Sequence, residues 1–470
     1  MRFREFIGSF SIYGFLPVFT KSASFLLVPI YVRVFSAFEF GIVELLISSV
    51  HFFIFAINLE FYGAIGRFFF ERDTVSQKRK LISTGLWMTV STAAIVLLIS
   101  LINENSILQA IFKSQEYRFE FRLGLIWAVF AAISTYLSVI PRYEKKAKKY
   151  VVYNASSLVA KLLSTVIFVV MLDLGIAGVI WGNITGAVLS TILYGSASKK
   201  YLGFSFSKND FREISKFAIP LVPGLLIIGL FQPVMRTLVT RIYSTEHLGL
   251  FGLAARIVTI MVIVETGIRL SWRPLLYENI NKNNFGKEYN RISKFVGRLI
   301  LAAGIFVTLF SKEVLEFIAT PEYLDARFLV GFLVIGNALS NLTTLRGFGF
   351  EVEKKTYLLS LTKLFAYSLG VLFLIYGALP FGLIGIGISF IIPMIIIYLI
   401  QVNYTKRIIA TKKKDIVEYI LWVVLIISTM IVLIDISIYY RILIYIMVIL
   451  ISIPYSYLNH KVARTINARV

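Results

Sequence analysis

Fourteen apolar stretches of 17 to 25 residues run through this chain, at about 10–33, 41–62, 81–102, 122–141, 151–172, 176–197, 217–241, 248–272, 295–311, 326–347, 358–378, 381–402, 416–434 and 440–458. A helix of that length crosses a hydrocarbon layer of about 30 Å, and in hydrocarbon the backbone must satisfy its own hydrogen bonds. The expected fold is therefore an all-α polytopic membrane protein with about 14 transmembrane helices. Composition agrees: 58% of residues are hydrophobic and only 16% charged, too few to cover a water-facing surface for 470 residues. The net charge of +22 would suit nucleic acid, but the basic residues fall between the apolar runs, which points to a membrane surface and to no nucleic-acid partner. With no cysteine there is no disulfide framework, thiolate metal site or cysteine nucleophile.

The connections alternate in charge. The termini and even-numbered connections carry 33 Lys and Arg against 8 in the odd-numbered ones, counting basic residues at span ends with the adjoining connection. By the positive-inside rule both termini are cytoplasmic, and the protein is expected as a multi-pass component of the cell inner (plasma) membrane. A miscounted helix would reverse every later loop and destroy the alternation. Trp87, Trp127, Trp181, Trp272 and Trp422 all lie near proposed helix ends, as in an interfacial aromatic belt. The first apolar run follows Arg2 and Arg4 but is too long for a signal peptide and reads as a retained span.

A six-helix repeat underlies the fourteen. Arg33-Val34-Phe35-Ser36, with Gly41, matches Arg241-Ile242-Tyr243-Ser244, with Gly249, at an offset of 208. Gly175 and Gly178 match Gly382 and Gly385 at 207, as Lys148 and Tyr150 match Lys355 and Tyr357. Six is even, so both copies have the same orientation, related by a pseudo-two-fold axis along the membrane normal. The expected organisation is a six-helix lobe at 1–200, a second at 207–402, and two added helices with a tail at 403–470. Two lobes of this kind imply a substrate path between them and alternating access by rocking.

The chain resembles the polysaccharide repeat-unit (O-antigen and capsule, Wzx-type) flippases of the multidrug/oligosaccharidyl-lipid/polysaccharide exporter superfamily. The residues that carry this are Tyr13-Gly14, Pro29-Ile30-Tyr31, Arg33 and Gly41; Arg67-Phe68-Phe69-Phe70-Glu71 followed by Lys80-Leu81-Ile82-Ser83-Thr84; and Trp272-Arg273-Pro274. The resemblance covers nearly the whole chain. It implies export of a polyprenyl-diphosphate-linked oligosaccharide from the cytoplasmic to the outer leaflet for surface polysaccharide, including lipopolysaccharide, assembly. It also implies no ATP hydrolysis by the protein itself, no cofactor beyond a coupling ion (H+ or Na+) or the membrane potential, and a polysaccharide polymerase and chain-length machinery as partners.

Seven basic residues stand inside the spans, where an ionisable group costs on the order of 2.5 to 3.5 kcal/mol. Arg269, Arg298 and Lys363 lie close enough to a cytoplasmic end to snorkel. Lys21, Lys161, Arg236 and Arg256 lie deeper, and either line a substrate cavity or pair within a lobe. In a cavity they would neutralise a diphosphate as its headgroup leaves water. One stripe of span two is polar, with Glu44, Ser48, His51 and Asn58 at helical spacing around Phe55. The offset of 208 maps it onto Gly252, Arg256, Thr259 and Thr266 around Ile263. His51 is a candidate for proton coupling or for plain packing. Glu265 stands four residues before Arg269 and is expected to neutralise it. Pro17 in span one, and Pro220 and Pro223 in span seven, are the candidate gating positions.

The rival functions lack their signatures. No D-x-D pair and no phosphate-binding G-x-x-x-x-G-K-[ST] loop occurs, which argues against an enzyme acting on the same lipid. A drug or organic-cation antiporter of the same superfamily would concentrate acids at depth, whereas seven basic groups face Glu44, Glu60 and Glu265 here. A peptidoglycan lipid-precursor flippase would differ only in cargo.

Overall fold

The computed structural model describes residues 26–144, 146–259, 285–353, 355–408, 415–434 and 436–452, with positions 261, 262, 265, 272, 276 and 280. Among these residues there are helices and no strands. Most of span one, much of span eight and the end of span fourteen lie outside the described residues, and each expected span coincides with a helix over the part of it that is described. In chain order these are α1 (Val28–Val34), α2 (Ala37–Asn58), α3 (Val75–Ile102), α4 (Arg118–Leu137), α5 (Ala147–Val166), α6 (Gly175–Ala197), α7 (Val222–Ile242), α8 (Thr245–Ile257), α9 (Phe285–Leu309), α10 (Arg327–Arg346), α11 (Thr356–Tyr376), α12 (Gly382–Ile408), α13 (Ile416–Ile434) and α14 (Ile438–Ser452). Among the described residues nine helices are long and apolar enough to cross a membrane, and α13 and α14 hold shorter apolar stretches. The protein is an all-α polytopic membrane protein.

The repeat has a local physical basis. Ser36 caps α2 through a capping box with Glu39, and its repeat partner Ser244 accepts from the His247 backbone N–H at 3.3 Å at the start of α8. Gly175 and Gly382 both have φ of +53°, a conformation that favours glycine, and each opens the helix that follows a tight turn. Three residues on, a methyl at Gly178 would stand 2.9 Å from the Phe168 backbone, and one at Gly385 would stand 2.1 Å from the Ala378 carbonyl oxygen. The two turns need glycine for the same two reasons.

The described chain falls into two compact units, one of Ser22–Gly252 and one containing the described residues from Leu253 on. In the amino-terminal unit, Ala64, Ile65, Leu81, Ile82, Tyr136 and Tyr194 form a closed apolar core. In the carboxyl-terminal unit, α13 and α14 cover α9, so 56% of its apolar window is buried against 28% for α3, its repeat partner. Ion pairs hold this cover in place. Arg298 of α9 grips Asp415 before α13 with two hydrogen bonds of 3.0 and 2.8 Å, so it is paired rather than snorkelling. Arg346, the last residue of α10, grips Glu418 of α13 at 2.7 and 2.8 Å. Arg441 of α14 reaches Glu313 at 2.8 Å and the Leu309 carbonyl at 3.0 Å.

One expectation about side-chain direction needs correction. Trp272 is fully buried against Tyr289 and Phe348, and Trp127 is buried as well, so proximity to a helix end does not put these two in an aromatic belt. Trp87 and Trp181 are exposed. Pro220 sits in a 3-10 turn, and Pro223 is the second residue of α7, a first-turn position where the missing N–H leaves no bond unmade. Pro233 is the proline inside that helix.

Candidate functional site

The polar stripe of α2 begins at a helix crossing made of glycines. A methyl on Gly41 would stand 2.1 Å from the Thr245 carbonyl oxygen, and one on Gly249 would stand 2.0 Å from the Ala37 carbonyl oxygen. Shifting Gly41 and Ala37 by 208 gives Gly249 and Thr245, so the two contacts exchange under the repeat, as a two-fold relation requires. One turn further, Glu44 and Gly252 form a pair that maps onto itself. The bare Gly252 leaves room for the Glu44 side chain, whose Cγ lies 2.5 Å from where a methyl would be.

Glu44 is buried, and its carboxylate faces Arg236 of α7 at 3.4 Å. Arg236 Nη1 donates to Gln232 Oε1, one turn earlier, at 2.5 Å, and the guanidinium lies 5.9 Å from the centroid of the Phe251 ring. Its buried Nε has no hydrogen-bond partner among the described residues. This guanidinium thus has donor capacity to spare, in a setting where an unmet donor is costly. His51 lies edge-on to Trp127 at 5.9 Å, within electrostatic reach of Lys161, Arg236 and Glu44. Lys161 leaves α5 at a close contact with α6: a methyl on Gly186 would be 2.8 Å from Lys161 Cβ. Four of the residues chosen from sequence, Glu44, His51, Lys161 and Arg236, are therefore gathered in one unit. Asn58, at the far end of the stripe, is buried and donates to the Ile54 carbonyl of its own helix at 3.0 Å.

The remaining candidates divide differently. Arg256 and Thr259 belong to the carboxyl-terminal unit, where Thr259 donates to the Ala255 carbonyl at 3.2 Å. Lys21, Pro17, Thr266 and Arg269 lie outside the described residues.

The carboxyl-terminal unit holds a polar cavity of about 290 Å³ that the sequence did not announce. Glu265 lies in its wall and accepts from Ser340 and Thr344, each at 3.3 Å, with Lys363, Tyr367 and Gln401 around the same space. Glu265, read from sequence as the neutraliser of Arg269, thus has hydroxyl partners on α10. The signal available was helical spacing: Ser340 and Thr344 are four residues apart and share a face.

A second repeated feature lies on the connections assigned to the cytoplasm. Between α4 and α5, Glu144 holds Lys146 at 2.7 Å, Lys200, and the Tyr201 hydroxyl at 2.9 Å. Burial alone would raise its pKa, but the bonds from Lys146, Lys200 and Tyr201 prevail and hold the carboxyl at about 2. Between α10 and α11, Glu353 holds Lys355 at 2.7 Å and the Tyr404 hydroxyl. Each clasp ties an interhelical connection to the end of the sixth helix of its copy.

The polysaccharide biosynthesis protein family matches residues 8–279, more than half of the chain. No curated protein matches it in sequence. Among solved structures it is similar to an inward-facing multidrug resistance MATE family transporter of the MOP superfamily, with a TM-score of 0.65 and 16% identity over 84% of this chain and 96% of that one. It is similar to the lipid II flippase MurJ in an inward closed conformation, with a TM-score of 0.64 and 15% identity over 95% of this chain and 97% of that one. A MOP superfamily transporter from Pyrococcus furiosus, described as having a binding pocket of reverse polarity, aligns at a TM-score of 0.60 and 17% identity over 87% and 96% of the two chains. Identities this low carry the fold alone, and with the family match they bear out the resemblance read from Arg67–Glu71, Trp272 and their companions. The chain belongs to the polysaccharide biosynthesis protein family, in the fold of the MOP superfamily transporters.

Proposed function

We propose that this protein flips a polyprenyl-diphosphate-linked oligosaccharide repeat unit from the cytoplasmic to the outer leaflet of the plasma membrane, by alternating access, for surface polysaccharide assembly. The observation that carries the reading is the Arg236 guanidinium. It is nearly buried at membrane depth, meets Glu44 at 3.4 Å, keeps an unspent Nε donor, and has Lys161 in the same electrostatic neighbourhood. A diphosphate is the group such a centre fits: it carries about two negative charges and accepts planar, forked donation from Arg. Moderate attraction is needed for release, and Glu44 supplies it by competing for the same guanidinium.

In this reading Lys21 and Arg256 are further diphosphate contacts. His51, Asn58, Thr259 and Thr266 line the path, and Pro17, Pro220 and Pro223 flank the moving segments. The two six-helix copies at 1–200 and 207–402 rock, driven by H+ or Na+ coupling or by the membrane potential, with both termini in the cytoplasm. The product passes to a polymerase and its chain-length machinery. A peptidoglycan lipid-precursor flippase is the second reading, favoured by one observation: the likeness to the lipid II flippase extends over 95% of this chain, against 84% for the drug transporter.

The test is surface polymer in cells that depend on this protein. Replacing Arg236 with Ala is expected to lower output by roughly ten- to a hundredfold, the loss of one charged hydrogen-bonding group, and Arg236→Lys to recover part of it. Undiminished polymer in Arg236→Ala and Lys161→Ala would reject the diphosphate assignment. Rescue of a strain lacking its peptidoglycan precursor flippase would move the protein to the second reading.

A further inference from the structure

A cavity of about 460 Å³ opens where α9, α10, α12 and α13 converge, within the range of about 300–1,000 Å³ typical of ligand pockets. Its walls come from one end of each helix: Ser293 and Lys294 early in α9, Arg346 closing α10, Thr405 and Lys406 near the end of α12, and Glu418 opening α13. The charge asymmetry of the connections assigns that end to the cytoplasm. Tyr398 and Trp422 stand a turn or more further along their helices toward the membrane interior than Thr405, Lys406 and Glu418, and with Tyr289 and Tyr419 they give the cavity an aromatic lining below a polar rim.

The charges in this wall do not cancel. Glu418 is held by Arg346, and Asp415 by Arg298, each through two hydrogen bonds. That leaves the two lysines. The half-buried Lys294 ammonium has no hydrogen bond or ion pair among the described residues and feels Asp415 only through space. Lys406 is exposed, with Asn403 Oδ1 at 3.4 Å. Both acids are neutralised by arginines, so the open wall is positive by two lysines, and five hydroxyl-bearing side chains, Tyr289, Ser293, Tyr398, Thr405 and Tyr419, share the lining.

We propose that this cavity holds the phosphate of an anionic phospholipid from the cytoplasmic leaflet. Lys294 and Lys406 face the phosphate, and the aromatic side chains face the glycerol and the first acyl carbons. A free phosphate shares the charge but has no use for the aromatic lining, which is why a lipid is the assigned occupant. Because α13 forms one wall, a bound lipid ties the added helices to α9, α10 and α12. The inference rests on the membrane topology proposed above and not on the cargo.

The test is retention of phosphatidylglycerol by the detergent-purified full-length protein, read by native mass spectrometry. Wild type is expected to keep a phosphatidylglycerol that survives excess inorganic phosphate, and to keep no phosphatidylcholine. Lys294→Gln and Lys406→Gln are each expected to lower retention by about fivefold, the equivalent of about 1 kcal/mol per basic residue at an anionic surface. Lys294→Arg should restore it. These variants leave every ion pair intact, and an unchanged unfolding temperature checks that they fold. Equal retention in wild type and the double variant would overturn the proposal. Displacement by inorganic phosphate would overturn the lipid assignment in favour of a free-anion site. A loss of surface polymer in Arg236→Ala with lipid retention intact bears on the transport reading alone, so the two can fail separately.

Discussion

The same place in the repeat is solid in one unit and hollow in the other. The offsets of 207 and 208 carry Ile57 to Glu265, Tyr136 to Thr344, and Tyr194 to Gln401. In the amino-terminal unit all three are buried: Ile57 is an apolar core residue, and the rings of Tyr136 and Tyr194 fill the closed core. Tyr136 donates to the Ile82 carbonyl at 2.7 Å, so even its hydroxyl is spent. In the carboxyl-terminal unit Glu265, Thr344 and Gln401 line the 290 Å³ cavity. One backbone plan thus supports both a rigid body and a chamber, and the choice rests on whether two positions carry a ring. The chambered unit is also the one braced by α13 and α14 through buried ion pairs. The bracing lies around its α9–α10 edge, whereas among the described residues α3 of the amino-terminal unit makes no ion pair of this kind.

If that bracing matters, the largest loss comes from Arg346. Its replacement by Ala strands Glu418 in a buried site and is expected to cost about 3 to 5 kcal/mol in unfolding of the purified protein. In the solid unit the partly exposed Arg72 pairs with the buried Asp210 and the exposed Glu213, and because water reaches this guanidinium Arg72→Ala should cost less, about 1 kcal/mol. Similar losses at the two sites would show that the bracing is not special. Next, Tyr136→Thr would carve into the solid unit what the other already has, at a cost of about 3 kcal/mol. The reverse change, Thr344→Tyr, adds a ring to existing space and should move stability by less than about 1 kcal/mol while lowering polymer output. A Thr344→Tyr protein that is well folded and fully active would make the chamber irrelevant to transport.

The smallest effect concerns the clasps on the interhelical connections. The Glu144 carboxyl sits at about 2 in the folded protein against an ordinary 4.5. Its contribution to stability is therefore complete above pH 4.5 and is lost as pH falls toward 2. Glu144→Gln should lower the unfolding temperature at neutral pH, with the difference from wild type closing between pH 4.5 and 2. A gap that widened on acidification would contradict the sign. Glu353→Gln, in the more exposed clasp of the other unit, should show a weaker version of the same behaviour.

The helices were legible because hydrocarbon permits so few solutions. Once Ala37–Asn58 or Gly382–Ile408 is apolar over that length, the backbone has no partner but itself. The repeat was legible where it rests on backbone needs, as at Gly175 and Gly382 or Ser36 and Ser244, since those needs act on single residues. Side-chain partnerships were another matter. Arg346 and Glu418 are 72 residues apart, and Arg298 and Asp415 are 117 apart. Depth in a span measures what a charge would cost in lipid, but not which helix arrives to cover it. The chamber was hidden for the same reason. Glu265, four residues before an arginine in the sequence, invites a local pairing, and only packing brings Ser340 and Thr344 to it. Of the four residues gathered in one unit, Lys161 and Arg236 were chosen for the cost of a charge at depth, and Glu44 and His51 for the polar stripe on α2.

The glycine crossing of α2 and α8 has a genetic consequence. What each glycine faces is the main-chain oxygen of Ala37 or Thr245, and every amino acid brings that oxygen with it. A side chain placed at Gly41 or Gly249 consequently has no second-site suppressor at the residue it strikes, because no exchange of Thr245 or Ala37 removes the obstacle. Selection for restored function among such mutants should return glycine itself, or changes that move a whole helix, and the two positions should behave as a matched pair in any mutational scan.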